Sequence, residues 1–211
     1  MKPQIIFLGA PGSGKGTQAA QLVEKLGYNH ISTGELLRKE INEGSDLGNK
    51  VKSIMDSGNL VDDNTVLELL KKNCDLANNS YIFDGFPRNL EQAKLLDEAV
   101  LKDVSKIAVY FDIDLEVIVE RVTNRRVALK SGEIYNLKTK PPKTSGVCDV
   151  SGEELVQRKD DNEEVVRNRL DVFKSTIDPV LEYYKKEGDF VKIDASRSSE
   201  DVMEQLLSVI D

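Results

Sequence analysis

The chain contains no tryptophan, one histidine and only two cysteines among its 211 residues. Cys74 and Cys148 allow at most one disulfide, and such a bond is not expected in a chain without an export signal. No stretch approaches the roughly 18–20 apolar residues of a membrane helix. The N-terminus enters a strand-like run at residues 5–8 without the features of a signal peptide. We therefore expect a cytoplasmic protein with no membrane partner.

Positive charge is also in deficit, because 29 Lys and Arg residues face 37 Asp and Glu residues, a net charge of −8. Binding to a nucleic-acid backbone needs broad basic patches, so nucleic acid is not an expected partner. A nucleotide is compatible with this charge, because a small polyanion needs only a few cations that converge on one cleft. The absence of a long exposed apolar stripe favours a monomer.

Runs of Val, Ile and Phe alternate with stretches of helical periodicity. This alternation predicts an α/β three-layer fold, with a five-stranded parallel sheet covered on both faces. A capping box, Ser32 to Glu35, and Gly44 mark the two ends of one helix. The predicted strands are 4–8, 29–32, 80–84, 106–112 and 189–193. The predicted helices are 15–26, 33–43, 62–74, 89–102, 114–127, 162–187 and 199–210.

Residues 128–160 break this alternation. They contain Gly132, Pro141, Pro142 and two further glycines, with short alternating pieces such as 133–137. A long segment of this kind is either a disordered insert or a functional lid. Its apolar side chains favour an ordered, β-rich lid.

The segment GAPGSGKGT, residues 9–17, lies between the first strand and the first helix. Glycines in this context let the backbone N–H groups turn inward and form an anion site, to which Lys15 adds a full charge. The common pattern places Ser or Thr directly after the lysine as a magnesium ligand, but here Gly16 follows and Thr17 comes next. The segment is therefore predicted to be a phosphate-binding loop in which water supplies more of the magnesium shell; the alternative is a glycine-rich turn with an exposed lysine.

Three further segments are more specific: STGELLR at 32–38, DGFPR at 84–88 and RKDD at 158–161. With the phosphate loop, their order and spacing resemble the signatures of the adenylate kinase family along essentially the whole chain. The resemblance implies the magnesium-dependent reaction ATP + AMP ⇌ 2 ADP, with ATP, AMP and ADP as the small-molecule partners. It also implies a P-loop core of residues 1–31, 62–123 and 162–211, a helical NMP-binding domain of 32–61 and a lid domain of 124–161.

The chemistry of the residues supports phosphoryl transfer independently. An AMP phosphate oxygen is already ionised at neutral pH, so catalysis reduces to alignment and neutralisation of charge. Arginine suits this task because its planar fork meets phosphate oxygens in pairs. By the resemblance, the catalytic set is Lys15, Arg88, Arg125, Arg158, Arg169, Asp160 and Asp161. Capping of the long helix is a competing role for Asp161.

The resemblance divides the binding residues between two nucleotides. Gln92 offers an amide to the adenine edge of AMP, and Leu60 and Val61 serve equally well as core residues. Arg121, one helical turn from Arg125 on the same face, is expected to pack on the ATP adenine. The AMP set is Thr33, Gly34, Arg38, Leu60, Val61, Gly85, Arg88, Gln92, Arg158 and Arg169. The ATP set is Gly12, Ser13, Gly14, Lys15, Gly16, Thr17, Arg121, Arg125, Tyr135 and Arg197.

Other charged residues have less specific expectations. Arg126 and Arg167 are expected to be surface charges, and Arg197 carries that interpretation beside its assignment to ATP. Asp84 ends a buried strand, where a carboxylate is costly without a partner. It is assigned to magnesium through water, with a helix cap or an ion pair to Lys15 as alternatives. The only histidine, His30, is expected to have no catalytic role.

The lid positions that bind zinc in some family members correspond here to Ala128, Ser131, Cys148 and Ser151. One cysteine cannot build a structural zinc site, which generally needs four N or S ligands. We expect no zinc, and a lid held by Ser131, Ser151, Asp149 and apolar packing. Two rival functions remain: a UMP or CMP kinase, and a nucleotide-hydrolysing switch, for which the sequence offers no residue to position water.

Overall fold

The computed structural model describes residues 2–210, so Met1 and Asp211, the outer ends of the predicted core, lie outside the described residues. Its main sheet has five parallel strands in the order β2-β3-β1-β4-β8. Ile5 pairs with Ile82 on one side and Ile107 on the other, so β1 is central. The strands are β1 (Gln4–Gly9), β2 (Asn29–Ser32), β3 (Tyr81–Asp84), β4 (Lys106–Asp112) and β8 (Phe190–Asp194). All five predicted strands are confirmed to within one residue.

Helices pack on both faces of this sheet, because alternate strand residues point to opposite sides. Ile6 and Leu8 join one apolar cluster with residues of the helices at 63–72 and 90–99. Ile5 and Phe7 join a second with residues of the helices at 15–26, 115–123 and 199–210. The predicted three-layer α/β fold is confirmed. The helices are α1 (Lys15–Leu26), α2 (Thr33–Glu43), α3 (Asp46–Asp56), α4 (Asp63–Lys72), α5 (Leu90–Ala99), α6 (Leu115–Thr123), α7 (Glu163–Glu187) and α8 (Ser199–Ile210).

Helices α2 and α3 form a pair between β2 and α4. The Ser32 hydroxyl accepts the N–H of Glu35 at 3.4 Å, and Gly44 has a left-handed conformation, so both predicted ends of α2 are confirmed. The sequence analysis did not predict α3. In the structure Ser45 caps α3, and Gly48 lets it lie against α2: a Cβ there would be 2.1 Å from the carbonyl oxygen of Glu40.

The prediction of a helix over 114–127 is wrong at its C-terminal end. Helix α6 stops at Thr123, and β5 (Arg125–Ala128) is an antiparallel strand that pairs Arg125 with Asn136. Asn136 also donates from Nδ2 to the carbonyl oxygen of Arg121 at 2.9 Å, which ties the end of α6 to the neighbouring strand. Arg121 and Arg125 therefore do not share a helix face.

The β-rich segment expected after α6 is an ordered three-stranded sheet. Its strands are arranged as β6-β5-β7, where β6 is Ile134–Asn136 and β7 is Leu155–Val156. Ala128, Tyr135, Cys148 and Leu155 form its small core. A short 3₁₀ turn, Lys159–Asp161, then leads into α7.

Candidate active site

The phosphate loop connects β1 to α1, as the sequence predicts. Gly12 and Gly14 have positive φ angles of +84° and +98°, which side chains disfavour. A Cβ at Gly12 would also lie 2.3 Å from Cγ2 of Val122 in α6. Glycine is thus required at Gly12 both by the turn and by the helix packed behind it.

Lys15 is folded across this loop. Its Nζ donates to the carbonyl oxygens of Gly9 and Ala10, each at 2.8 Å, and to Oγ of Ser13 at 3.3 Å. Desolvation of the ammonium group lowers the pKa of Lys15 to about 8, although the charge of Asp84 raises it. A phosphate group would replace these neutral acceptors with charged oxygens and so favour the protonated lysine.

Asp84 lies at the C-terminal end of β3, where its side chain is 13% exposed. Its Oδ2 is 3.4 Å from Nε2 of His30 on the adjacent strand β2. Burial would raise the pKa of Asp84, but the hydrogen bond from His30 and the charge of Lys15 lower it overall. The partner of this carboxylate is therefore His30, which the sequence analysis set aside, and neither a helix cap nor a direct bond to Lys15 is found for Asp84 within residues 2–210.

Arginines and carboxylates from distant parts of the chain meet beside the phosphate loop. Oδ2 of Asp160 accepts from Arg38 at 2.8 Å and from Arg169 at 3.0 Å. Asp161 is fully buried and accepts two hydrogen bonds from the guanidinium of Arg125. Burial opposes ionisation of Asp160, but the charges of Arg38 and Arg169 lower its pKa to about 2. Both carboxylates thus hold arginines of the predicted catalytic set.

The alternative role of Asp161 as a helix cap is wrong. Helix α7 begins at Glu163, and its cap is Asn162, whose side chain accepts the N–H of Val165 at 3.0 Å. Asp161 lies in the preceding 3₁₀ turn, where its side chain faces Arg125.

Glu35 is a site residue that the sequence analysis treated only as half of a capping box. Its carboxylate binds Arg158, which follows the lid strands, and lies 3.3 Å from Nη1 of Arg38. Arg158 is thereby joined to α2. Its sequence separation of 123 residues explains why no local pattern indicated the pair.

A pocket beside the arginines contains most of the predicted AMP set. Thr33 donates to the carbonyl oxygen of Gly85 at 2.9 Å, and Arg88 donates to the same oxygen from Nε at 2.7 Å. Gly85 has a φ of +81°, and a Cβ there would meet Oγ1 of Thr33 at 2.9 Å. The predicted AMP residues that line this pocket are Thr33, Arg38, Leu60, Val61, Gly85, Arg88, Gln92 and Arg169. The remaining two, Gly34 and Arg158, line the adjoining cleft over the phosphate loop.

The side chain of Gln92 is held between two groups. Nε2 donates to Oδ1 of Asp63 at 2.7 Å, and Oε1 accepts the backbone N–H of Arg88 at 2.7 Å. Asn89 donates to the same oxygen of Asp63 at 3.2 Å. Sequence analysis missed Asp63, which looks like an ordinary acidic residue in a first helical turn.

All predicted ATP residues line the cleft over the phosphate loop, but their side chains differ in freedom. Arg121 donates to the carbonyl oxygen of Ala195 at 3.3 Å. Arg197 is exposed and pairs with Asp194 at 3.0 Å, as expected of a surface charge, and its assignment to ATP stays a prediction. Tyr135 is buried in the core of the three-stranded sheet, where its hydroxyl contacts Sγ of Cys148 at 3.6 Å and accepts the N–H of Asp149 at 2.9 Å.

The two residues expected at the surface differ from each other. Arg167 is exposed and pairs with Glu163 in the preceding turn of α7, as expected. Arg126 is half-buried, and its Nη1 donates to the backbone oxygens of Thr123 and Arg125. Its guanidinium therefore ties the start of β5 to the end of α6.

Polar groups around Glu153, which the sequence analysis did not single out, connect the loops of the three-stranded sheet that is predicted to be the lid. Its carboxylate accepts the N–H groups of Lys130 and Ser131 at 2.8 and 2.9 Å and the hydroxyl of Ser151 at 2.8 Å. Ser151 also donates to Oγ of Ser131 at 3.3 Å, as predicted. Asp149, also named in the prediction, accepts the N–H of Lys143.

The described part of the chain contains no cluster of metal-ligating side chains, no disulfide and no membrane-spanning helix. Across residues 2–210, His, Cys, Asp and Glu side chains form no group of three or more that could hold a metal ion. The expectation of no zinc stays a prediction. Both cysteines, Cys74 and Cys148, are free thiols. Within the same residues no helix is long and apolar enough to cross a membrane.

Comparison with known proteins identifies the family. The sequence model of the adenylate kinase family matches residues 7–189. The adenylate kinase of Thermosipho melanesiensis is 45% identical over 211 residues, which cover 98% of each chain. That of Petrotoga mobilis is 44% identical over 98% of this chain and 97% of its own, and that of Clostridium tetani is 42% identical over the same shares. This chain therefore belongs to the adenylate kinase family, as its motifs indicated, and is a phosphotransferase.

Proposed function

We propose that the cleft binds ATP over the phosphate loop and AMP in the adjoining pocket, and that the chain catalyses ATP + AMP ⇌ 2 ADP. One observation carries this assignment: Arg38, Arg88 and Arg169 line both the pocket and the cleft. Two nucleotides bound with their phosphates toward these arginines have their reacting groups side by side. Such placement lowers the barrier by alignment and by neutralising the charge that develops on the transferring group.

The position of each residue in the site determines its proposed role. Lys15 and the loop N–H groups hold the ATP phosphates, while Arg38 and Arg88 hold the phosphate of AMP. Arg125, Arg158 and Arg169 complete the site around the transferring group. Asp161 orients Arg125, Asp160 orients Arg169 and Glu35 orients Arg158 through the ion pairs described above. No general base is needed, because the attacking oxygen of AMP is already ionised.

Magnesium fits this site through Asp84. A Cβ on Gly16 would lie 3.9 Å from Oδ2 of Asp84, so the carboxylate adjoins the start of α1. Mg²⁺ commonly keeps several waters and binds one or two protein carboxylates together with substrate phosphates. Asp84 would hold the ion through water. Thr17, the residue after Gly16, has its hydroxyl in the same first turn of α1. The ion, when bound, neutralises charge on the phosphates.

Two segments are proposed to close over the substrates: the NMP-binding domain, 32–61, and the lid domain, 124–161. Support comes from the pairs Arg38–Asp160 and Arg158–Glu35, which join α2 to the C-terminal end of the lid domain. Closure with both nucleotides bound excludes water, so that ATP is not lost to hydrolysis. A cytoplasmic location and a monomeric state belong to the same proposal. Free thiols suit a reducing compartment, and cell fractionation and light scattering test the two points.

The decisive experiment measures diphosphate formation in the presence of magnesium and ATP. AMP, GMP, UMP and CMP are added as acceptors in separate assays. We expect rapid ADP formation with AMP and little reaction with the others. Arg88→Ala should lower kcat/KM by roughly 10²–10³-fold, as for loss of a donor to the transition state. Arg167→Ala removes an exposed arginine of α7 that pairs only with Glu163 among the described residues, and should leave the rate unchanged.

Two results would contradict the proposal. Transfer to UMP or CMP in preference to AMP would favour the rival monophosphate kinase and overturn the assignment of Gln92. ATP loss that does not depend on any acceptor would favour the hydrolysing switch, since Arg38 and Arg88 would then have no acceptor phosphate to bind.

A further inference from the structure

The amide of Gln92 cannot turn over without losing both of its hydrogen bonds. Gln92 is 2% exposed, its Nε2 bonded to Asp63 and its Oε1 to the N–H of Arg88, each at 2.7 Å. A flipped amide would set its oxygen against the Asp63 carboxylate and its NH₂ group against the Arg88 N–H. Two acceptors would then face each other, and so would two donors. Such unpaired buried groups are costly.

Asp63 is itself held in place. It lies in the first turn of α4, and Asn89 donates to its Oδ1 at 3.2 Å. Asn89 also caps α5 by accepting the backbone N–H of Gln92 at 2.8 Å. Asp63 is not among the described residues that line the AMP pocket, whereas Gln92 is. Asp63 therefore contacts the pocket only through Gln92.

An amide held in this way has one N–H and one lone pair left for a base. The edge of adenine presents an amino donor beside a ring acceptor, N6–H beside N1. Guanine and hypoxanthine present the reverse order, an acceptor at O6 beside a donor at N1. A base with the reversed order needs the flipped amide, so the orientation of Gln92 selects between the two kinds of purine.

We propose that Asp63 is a positioning residue that fixes the Gln92 amide and thereby excludes 6-oxopurine monophosphates from the AMP pocket. The inference rests on the proposed function, in which Gln92 faces the adenine of AMP. A site that pairs with polar groups of its substrate rejects an analogue with mismatched groups far better than an apolar wall does.

The test compares kcat/KM for AMP and for IMP, with magnesium and ATP saturating. IMP is the suitable probe because hypoxanthine has the reversed edge of guanine without its additional amino group. In Asp63→Ala we expect the ratio of the AMP and IMP values to fall about tenfold, mainly through KM. The amide then keeps only the bond from the Arg88 N–H and can turn over to pair with either base. Asp63→Asn keeps an oxygen acceptor for Nε2 and should preserve the ratio.

A matched control separates this role from support of α4. Asp62 is the cap of that helix and accepts the N–H of Thr65 at 2.9 Å, yet no contact joins it to Gln92 among the described residues. Asp62→Ala should lower the melting temperature and leave the AMP/IMP ratio unchanged. If Asp63→Ala does not fold, Asp63→Ser retains a residue suited to the helix start but is too short to reach Gln92.

Equal losses of kcat/KM for AMP and IMP in Asp63→Ala, or in its Ser substitute, would overturn the inference, as would an Asp63→Asn variant that behaves like Asp63→Ala. A failure of the proposed function has a different signature. The unaltered protein would then form no ADP with AMP, whatever the Asp63 variants do.

Discussion

The charge of Lys15 depends on its surroundings in the phosphate loop. Desolvation brings its pKa from 10.5 down to about 8, so the free enzyme carries this charge below pH 8 and loses it above. We expect kcat/KM for ATP to be level between pH 7 and pH 7.5. Above pH 8 it should decline, approaching tenfold per pH unit, because only the protonated lysine offers a full charge to the phosphates.

Lys15→Arg provides the control for this profile. Arginine stays protonated throughout the range, so this less active variant should show no decline between pH 8 and 9.5. A decline identical to that of the unaltered protein would assign the titration to another group. A wild-type profile level up to pH 10 would contradict the lowered pKa.

Individual contacts at the site were the hardest to foresee. His30 meets Asp84, Glu35 meets Arg158 and Asp63 meets Gln92, over 54, 123 and 29 positions of the chain. Taken locally, His30 is an ordinary strand histidine, Glu35 is half of a capping box and Asp63 is an acidic residue in a first helical turn. The partner that gives each residue its role comes close only when the strands and helices assemble.

The packing of α2 against α3 depends on Gly48. A Cβ at this position would lie 2.1 Å from the carbonyl oxygen of Glu40, and a backbone oxygen cannot move aside alone. Gly48→Ala should therefore destabilise the protein by about 1–3 kcal/mol, as overpacking does. Helix propensity alone would make the same change stabilising. Thermal or denaturant unfolding decides between the two signs.

The KM values of Gly48→Ala for the two substrates should show where in the molecule the substitution acts. Because α2 and α3 contribute to the AMP pocket, Gly48→Ala should raise KM for AMP more than KM for ATP. Ser53→Ala, on the exposed face of α3, is the matched control and should change neither stability nor KM appreciably. Equal increases of both KM values in Gly48→Ala would indicate a defect that is not confined to the helix pair.

The lid depends on Glu153 as an acceptor. The hydrogen bond from the N–H of Lys130 is the largest cause that lowers the pKa of Glu153 to about 2. The hydrogen bonds from Ser131 and Ser151 add to this effect. Glu153→Ala should expose the amides of residues 130 and 131 to faster hydrogen exchange while leaving the core amides unchanged. Glu154→Ala, an exposed neighbour, should leave all of them protected; faster exchange in both variants would argue against a specific role.

A depressed pKa also sets the direction of a pH effect on this segment. The carboxylate of Glu153 is ionised in the folded lid down to about pH 2, whereas in an opened lid it takes up a proton near 4.5. Its contribution to lid stability is therefore fully present above pH 4.5 and is lost as the pH falls toward 2.

The molecule as a whole is expected to become more compact when both substrates bind. Residues from both 32–61 and 124–161 line the cleft, and the proposed function assigns Arg38, Arg158 and Arg169 to the phosphate groups bound there. An inhibitor with two adenosines joined by phosphates should reduce the radius of gyration in small-angle scattering. AMP alone should reduce it less, because only part of the phosphate-binding set is then occupied. An unchanged radius with the bridging inhibitor would refute domain closure.

The sequence by itself determined the sheet, the phosphate loop, most helices and the family. These rest on local physics: periodicity places apolar faces, and the segments at 9–17 and 84–88 carry backbone and charge requirements within a few residues. Tertiary structure alone decided that Arg125 leaves α6 for a lid strand, that Asp161 binds Arg125 and caps no helix, and that α3 lies on α2 at Gly48. Those outcomes depend on pairing and close packing between distant segments, whose free energy no local pattern contains.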